Sequence, residues 1–473
     1  MATAEATTHE EEIKLPKIEK LKHCFECGIC TASCSMAELL EEDYNPRELL
    51  EKIFLNVEDA LSAYELWLCA WCYKCYRRCP QALEVPEIFL LVRKMAVKRG
   101  YLHPLEKAMQ KVAQHIPLPL IVTLVCLHPE RAGLNTQDVL ETIRTERVKL
   151  KTKKAIKDDK YKVAVLGSGP AGLTVAYELA RKGYPITVFE SLPEPGGMLR
   201  KCIPEYRLPK NVLDDELQFL DGLGVEFKVN MHVGKDLIFD DLWDEGYRAI
   251  FVGVGAHKSH RLKIEGEDLK GVVHALDFLW QIRSNTKVEL GKNVAVVGGG
   301  NVAVDAARTA LKLGAENVTI FYRRSKVEMP ANPWEVKETE EAGVKMEFLV
   351  APKRILGENG HVSTIELVRV KLGELDESGR RKPLPIEGSE FVFKADTVIL
   401  AIGESPDLEF LPKEIVLNGD GTIWVNPITM ETSIRGVFAG GDVVTGPASV
   451  IEAICAGKRA ANSIESYLKA VEA

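Results

Sequence analysis

Two copies of one cysteine spacing near the N-terminus, and two strand–glycine turn–helix–strand units further on, predict a multidomain fold. An α-helical domain built around the cysteines comes first, and an α/β part with two dinucleotide-binding folds follows. A third glycine-rich junction near the C-terminus completes the second part. The length of 473 residues fits about three domains. With 46% apolar and 27% charged residues the composition is that of an ordinary globular protein.

The cysteine runs read Cys24-x2-Cys27-x2-Cys30-x3-Cys34 and Cys69-x2-Cys72-x2-Cys75-x3-Cys79-Pro80. A cubane cluster needs four thiolates converging from a small volume, and cysteines at every third residue wrap three around one face. The fourth ligand usually comes from the other run, as in two-cluster ferredoxins. The expected metal ligands are therefore Cys24, Cys27, Cys30 and Cys79 for one [4Fe–4S] cluster, with Cys69, Cys72, Cys75 and Cys34 for its neighbour. Zinc and disulfides are the alternatives. Zinc motifs pair two C-x2-C units across a longer gap, and thiol-dense runs without a secretory signal rarely oxidise. Ser35 stands where the second run has Pro80, so the exit from the first is less restrained in φ.

Residues 1–14 are expected to be a disordered N-terminus, 15–134 the helical cluster domain and 135–160 a charged, solvated linker. Between the runs, MAELLEEDYNPRELLEKIFLNVEDALSAYELW repeats its apolar residues at helical intervals. After Cys79, VPEIFLLVRKMAVKRG reads as a second helix, placed to pack over the clusters. In ECGICTASC and LCAWCYKCYRRCP this region resembles the iron–sulfur C subunit of heterodisulfide reductases. The acidic start has no apolar signal-peptide core, and IPLPLIVTLVCL at 116–127 is about half the length a bilayer requires. A cytoplasmic protein without a transmembrane segment is expected. The net charge of −8 and pI near 5.8 argue against nucleic acid or an anionic membrane as partner.

At Tyr161 a dinucleotide fold begins: YKVAVLGSGPAGLTVAYELARKGYPITVFE is a buried strand, a glycine turn, a helix and a second strand ending in Glu190. Gly167 permits the tight turn, Gly169 lets backbone approach a pyrophosphate, and Gly172 allows close helix–strand packing. Pro170 and Ala171 open the helix whose N-terminus would receive the phosphates. Glu190 is placed to accept hydrogen bonds from a ribose. The pattern returns in GKNVAVVGGGNVAVDAARTALKLGAENVTIFYRRS, with Gly298, Gly300, Asn301 and Ala303 at the turn. Its second strand ends in Arg323 and Arg324, where guanidinium groups would bind the 2′-phosphate of NADP(H) that an acid would repel. Near the C-terminus, Gly441 and Asp442 in AGGDVVTGPASVIEAICAGKRAA end a strand and open a helix, a position for FAD. The order gives an FAD-binding first part at 161–270, an inserted NADPH-binding domain at 271–394 and an FAD-binding second part at 395–473.

GSGPAGLTVAYELA, GGMLRKCIPEYRLPK, GGGNVAVDAARTA, YRRSKVEMPA and AGGDVVTGPASVIEAICAGKRAA occur in an order that resembles the flavoprotein subunit of glutamate synthase. Its relatives include the large subunit of NADH-dependent ferredoxin:NADP oxidoreductase and the N-terminal part of dihydropyrimidine dehydrogenase. The resemblance implies that Gly196, Gly197 and Met198 run beside the flavin, that Arg323 and Arg324 hold the NADP phosphate and that Asp442 contacts FAD. Cys202 stands where these relatives usually have glycine.

NADPH delivers two electrons together whereas a cubane carries one, and flavin is the cofactor that accepts a pair and releases it singly. The expected protein is thus an NADPH-linked flavin and iron–sulfur oxidoreductase subunit. It would pass electrons among NADP(H), FAD, two [4Fe–4S] clusters and partner redox subunits or ferredoxin, with an electron-bifurcating or heterodisulfide-reductase-like complex as one setting. The alternatives are the small subunit of a glutamate synthase and a non-catalytic wiring subunit. No acid–base residue is nominated. Outside the runs only Cys126, Cys202 and Cys455 remain, without the paired spacing of a dithiol, so disulfide reduction at the flavin is not expected.

Overall fold

The computed structural model describes residues 16–150, 161–376 and 379–471. The chain divides into two compact units, one running up to Ile116 and again from Leu127 to Val148, the other from Pro117 to Cys126 and from Lys149 onward. Residues 1–14, expected to be disordered, and 151–160 of the expected linker lie outside the described residues.

The first unit is helical. The segment between the cysteine runs is several short helices rather than one, because Asn45-Pro46 and Asn56 interrupt it. Asn45 caps Pro46–Leu55 by accepting from the Arg47 and Glu48 amides, and Asn56 caps Val57–Leu61. The longer helix Val85–Lys98 starts with proline in its first turn and buries Ile88, Phe89, Val92 and Ala96. His103–His115 packs against Thr136–Val148. That last helix corrects the linker expected at 135–160. Its charged composition conceals Val139, Leu140 and Ile143 on one face, all buried, and those three suffice to dock it.

The domain boundary at 134 is also corrected. Pro117–Cys126 groups with the second unit, where the Leu120 amide donates to the fully buried Glu216 carboxylate at 2.7 Å. Within this stretch lie a short helix, Pro119–Val122, and the start of the wider turn Thr123–Leu127. Among the described residues no helix is long and apolar enough to cross a membrane.

The second unit holds two five-stranded parallel sheets. The first has the order Val437–Ala439, Ala249–Val252, Val163–Leu166, Ile186–Phe189, Glu226–Lys228. The second runs Val272–His274, Thr397–Ala401, Asn293–Gly298, Asn317–Tyr322, Lys345–Phe348. The central strands are buried along almost their whole length, as sheets covered by helices on both faces require. In each sheet the chain proceeds outward from the strand that precedes the glycine turn, then returns to that strand's other side. This reversal opens a crevice at the strands' carboxyl ends.

A three-stranded antiparallel sheet, Val350–Glu358, His361–Leu375 and Arg381–Lys394, is inserted before the second sheet is completed. Thr397–Ala401 belongs to that second sheet, so the expected return to the FAD-binding part at 395 comes later. The chain crosses back at Glu404–Ser405, which pairs antiparallel with the outgoing Lys258–Ser259. An apolar run such as TVILA carries no label for the sheet it joins.

Candidate functional site

The eight run cysteines line two separate cavities. Cys24, Cys27, Cys30 and Cys79 surround one, and Cys34, Cys69, Cys72 and Cys75 the other. Matching backbone turns bring them together. Glu26 and Trp71 have φ of 53° and 49°, and two residues later Gly28 and Tyr73 have 74° and 60°. A left-handed Trp or Tyr costs on the order of 1–3 kcal/mol, so the second run holds strained backbone in return for its cysteine geometry. The helix Val85–Lys98 touches both cavities, through Val85 at the first and Pro86 and Phe89 at the second.

The cavities differ in depth. At the first, Cys27 is exposed and Phe25 is 68% exposed. At the second, Cys69, Trp71, Tyr73, Tyr44 and Phe89 are all buried. We call them the outer and inner sites. Burial pushes the Cys34 thiol up to about 12 and raises Cys30 and Cys75 as well. Such thiols ionise when a metal replaces the proton. Among the described residues no three His, Cys, Asp or Glu groups converge on a point as a single ion needs. The cysteines instead encircle a space, which fits a cluster better than zinc.

At the first dinucleotide turn, Gly167 has φ of 95°, and a Cβ there would lie 2.6 Å from the Gly253 carbonyl oxygen. A Cβ on Gly172 would lie 2.0 Å from the Gly167 oxygen. Gly169, by contrast, meets nothing closer than 4.0 Å, leaving open backbone ahead of helix Pro170–Arg181. Glu190 is buried with its carboxylate already engaged: Oε2 accepts from the Ser168 amide at 3.0 Å and from its hydroxyl, and Oε1 from the Leu192 amide at 2.9 Å. A ribose would share those oxygens rather than find them empty. The Ser168 hydroxyl also accepts from the Gly196 amide at 2.8 Å, tying the turn to the Gly196–Gly197 loop. Gly197, at φ of 52°, has room for no Cβ, because Gly169 Cα would be 2.9 Å away. Met198 opens the next helix, half-buried.

Gly441, at φ of 77°, precedes Asp442. Burial, reinforced by Glu452 and Glu404, pushes the Asp442 carboxyl up to about 7 although the Ala448 amide donates to it at 3.2 Å. The helix Val450–Val471 lies tight on Pro170–Arg181 at Gly457, where a Cβ would meet the Ala171 oxygen at 2.5 Å.

The second turn repeats the geometry. A Cβ on Gly298 would fall 2.0 Å from the Ala401 oxygen, whereas Gly300 faces open space. Ala303 is fully buried in the helix Asn301–Lys312, and the Asn301 side chain accepts from the Asn332 amide at 3.1 Å. Beyond the second strand the two arginines part. Arg323 is exposed, and among the described residues it has no acid partner. Arg324 is 2% exposed; it pairs with Asp376 at 2.5 Å and donates from Nε to the Arg381 carbonyl at 2.8 Å. Both are expected from the sequence to face a phosphate; here Arg324 is already engaged by protein groups, and Arg323 is the one left exposed. Neighbouring positions at the end of a strand point to opposite faces, and only Arg323 points outward.

Sequence reasoning missed two connections. Ser168, inside the first glycine turn, organises Glu190 and Gly196. Arg207, in the IPEYRLPK segment, donates from Nη1 to both Asp305 oxygens at 2.9 Å and lies 2.8 Å from the buried Glu335. The segment was visible, but its partners are far away in the chain. Cys126, Cys202 and Cys455 are all buried, and burial pushes the Cys202 thiol up to about 12.

Residues 161–457 match the model of the pyridine nucleotide-disulphide oxidoreductase family, well over half of the chain. The protein belongs to that family. Residues 20–83 of this pyridine nucleotide-disulphide oxidoreductase match a 4Fe-4S dicluster domain, so its cofactors are FAD, NADP(H) and two [4Fe–4S] clusters. It is 39% identical over 432 residues to the NADP(+)-dependent formate dehydrogenase subunit beta of Moorella thermoacetica, covering 84% of this chain and 60% of the relative. To the NADPH-Fe(3+) oxidoreductase subunit beta of Geobacter sulfurreducens it is 36% identical, covering 84% and 63%. The Escherichia coli glutamate synthase [NADPH] small chain is 40% identical, covering 66% and 70%. The chain thus spans about three-fifths of the first two. Among solved structures, Mycobacterium tuberculosis FprA in complex with NADPH shares the fold at 21% identity and a TM-score of 0.55, covering 66% of this chain and 85% of that one.

Proposed function

We propose that this chain is an NADPH-linked electron-transfer subunit. It exchanges electrons between NADP(H) and partner redox subunits or a ferredoxin, in the cytoplasm. The observation that carries the reading is the pairing, in one chain, of two open glycine turns with two four-cysteine cavities. Bound FAD would supply the exchange between an electron pair and single electrons. Cys24, Cys27, Cys30 and Cys79 would ligate the outer cluster, and Cys34, Cys69, Cys72 and Cys75 the inner one. Gly167, Gly169, Pro170, Ala171, Gly172, Glu190, Gly196, Gly197, Met198, Gly441 and Asp442 would hold FAD. Gly298, Gly300, Asn301, Ala303 and Arg323 would hold NADPH, with Arg324 bracing the loop behind Arg323.

Coverage separates this reading from the small subunit of a glutamate synthase. The region after residue 161 is too short to supply the 84% matched in the formate dehydrogenase and NADPH-Fe(3+) subunits, so those similarities reach into the cluster domain. The glutamate synthase chain matches only 66%. That favours a dehydrogenase- or reductase-type partner.

Anaerobic purification with whatever co-elutes, followed by identification of those chains, tests the partner. The same preparation should contain about eight iron atoms per chain and one FAD that NADPH bleaches. Zinc in place of iron, FMN in place of FAD, or flavin that NADPH leaves oxidised would defeat the proposal.

A further inference from the structure

Arg93 sits on the helix that touches both cluster cavities and is 4% exposed. Its three nitrogens donate to backbone carbonyls: Nε to Leu66 at 2.8 Å, Nη1 to Leu127 at 3.0 Å and Nη2 to Cys69 at 2.9 Å. Its guanidinium carbon lies 5.9 Å from the Trp67 ring centroid. Carbonyls and a ring satisfy its hydrogen bonds but leave its charge unneutralised, and among the described residues no carboxylate pairs with it. A buried cation without an anion is strongly unfavourable. The inner cavity is close by: Cys69, whose oxygen Arg93 holds, lines it, as does Phe89 one turn earlier on the same helix. Four thiolates around a [4Fe–4S] core leave a net negative charge, and one-electron reduction adds another.

We propose that Arg93 is the built-in counter-ion of the inner cluster and holds its reduction potential up. Burial by itself disfavours the more highly charged reduced cluster, and a fixed cation in the same low-dielectric interior opposes that penalty. Among the described residues the outer site has no buried equivalent. Arg47 lines its cavity but is only half-buried, and Arg77 and Arg78, just before Cys79 in the chain, are exposed, so solvent and salt screen them. The proposal rests on the assignment of Cys34, Cys69, Cys72 and Cys75 to one cluster.

The test is a potentiometric titration of the purified protein, followed by EPR and by iron content, for the parent and for Arg93→Gln, Arg93→Met and Arg93→Lys. Arg93→Gln keeps a neutral donor, Arg93→Met neither charge nor donor, and Arg93→Lys the charge and a donor without the planar fork that reaches three carbonyls. In whichever neutral variant loads clusters, one of the two cluster waves should fall by at least a tenfold change in its reduced-to-oxidised ratio, about 59 mV for one electron. The other wave should hold, and Arg93→Lys should stay with the parent. If neither neutral variant retains iron while Arg93→Lys does, the charge is needed for the cluster itself, which also supports the proposal. Unmoved potentials in loaded neutral variants, equal shifts of both waves, or loss of iron in Arg93→Lys as well would overturn it, leaving Arg93 a brace for three carbonyls. A parent lacking two [4Fe–4S] clusters would instead refute the ligand assignment.

Discussion

The two dinucleotide turns share a shape and differ in charge. In both, the first glycine is pressed against a carbonyl from a neighbouring strand end, Gly253 behind Gly167 and Ala401 behind Gly298, while the middle glycine faces open space. The third position is where packing first diverges: Gly172 has no room for a methyl group, whereas Ala303 carries one in a fully buried site. At the end of the second strand the first turn has a buried carboxylate, Glu190, and the second an exposed guanidinium, Arg323. On the proposed reading, the shared features would make a pyrophosphate site in each, and the terminal side chain would choose the dinucleotide. A ribose with free hydroxyls suits an acceptor, and a 2′-phosphate suits a donor.

The sharpest way to break the comparison is to exchange the third residues. Gly172→Ala forces a Cβ to within 2.0 Å of the Gly167 oxygen, so the turn must open. We expect about 3 kcal/mol of destabilisation and purification largely without flavin, read from the absorbance ratio of flavin to protein. Ala303→Gly should cost about 1 kcal/mol through helix propensity alone and leave the flavin in place. Equal losses in the two variants would mean the third positions are interchangeable.

Next in size is Arg324→Ala. Removing a buried guanidinium takes away the ion pair to the partly solvated Asp376 and the bond to the Arg381 carbonyl, although the Arg380 amide still donates to Asp376. The cost should lie between surface and buried pairs, about 2 kcal/mol in a denaturation midpoint. Arg323→Ala should leave that midpoint unchanged. It should instead weaken NADPH by roughly tenfold, about 1.4 kcal/mol, while NADH bleaches the flavin as before. Equal losses for both cofactors would show that Arg323 does not read the phosphate.

A pH-dependent effect is expected on the flavin side. Folding raises the Asp442 carboxyl from 3.8 to about 7. A raised acid stabilises the fold fully below its unfolded pKa and loses that contribution as pH rises through the folded one. Flavin-depleted protein should therefore lose stability between about pH 4 and pH 8 more steeply than Asp442→Asn. Glu404, raised to about 6 by burial, acts in the same direction, so the variant should flatten the profile only in part. Identical profiles would remove Asp442 from the account.

The contrast between Arg323 and Arg324 also measures how far sequence reading reaches. Two adjacent arginines at a strand end are equivalent in the chain, and only the position of Asp376 and the Arg381 carbonyl turned one of them inward. Glu190 was legible as the terminal acid, but Ser168 taking up its oxygens was not. The helix Thr136–Val148 was hidden because charge dominates its composition while three apolar side chains decide its docking.

What the sequence determined by itself is local and periodic. Cysteine spacing set which thiols group, because three ligands within seven residues have few ways to converge, and glycine spacing set where backbone comes close to backbone. Both are short-range geometry, carried by residues near one another in the chain. What only the tertiary structure decided depends on distant segments meeting: the sheet that claims Thr397–Ala401, the transfer of Pro117–Cys126 to the second unit, the Arg207 contacts to Asp305 and Glu335, and the burial of Arg93 behind Cys69. Burial and charge pairing are properties of the packed interior. The same arginine is a solvated surface group or a buried counter-ion according to what folds over it.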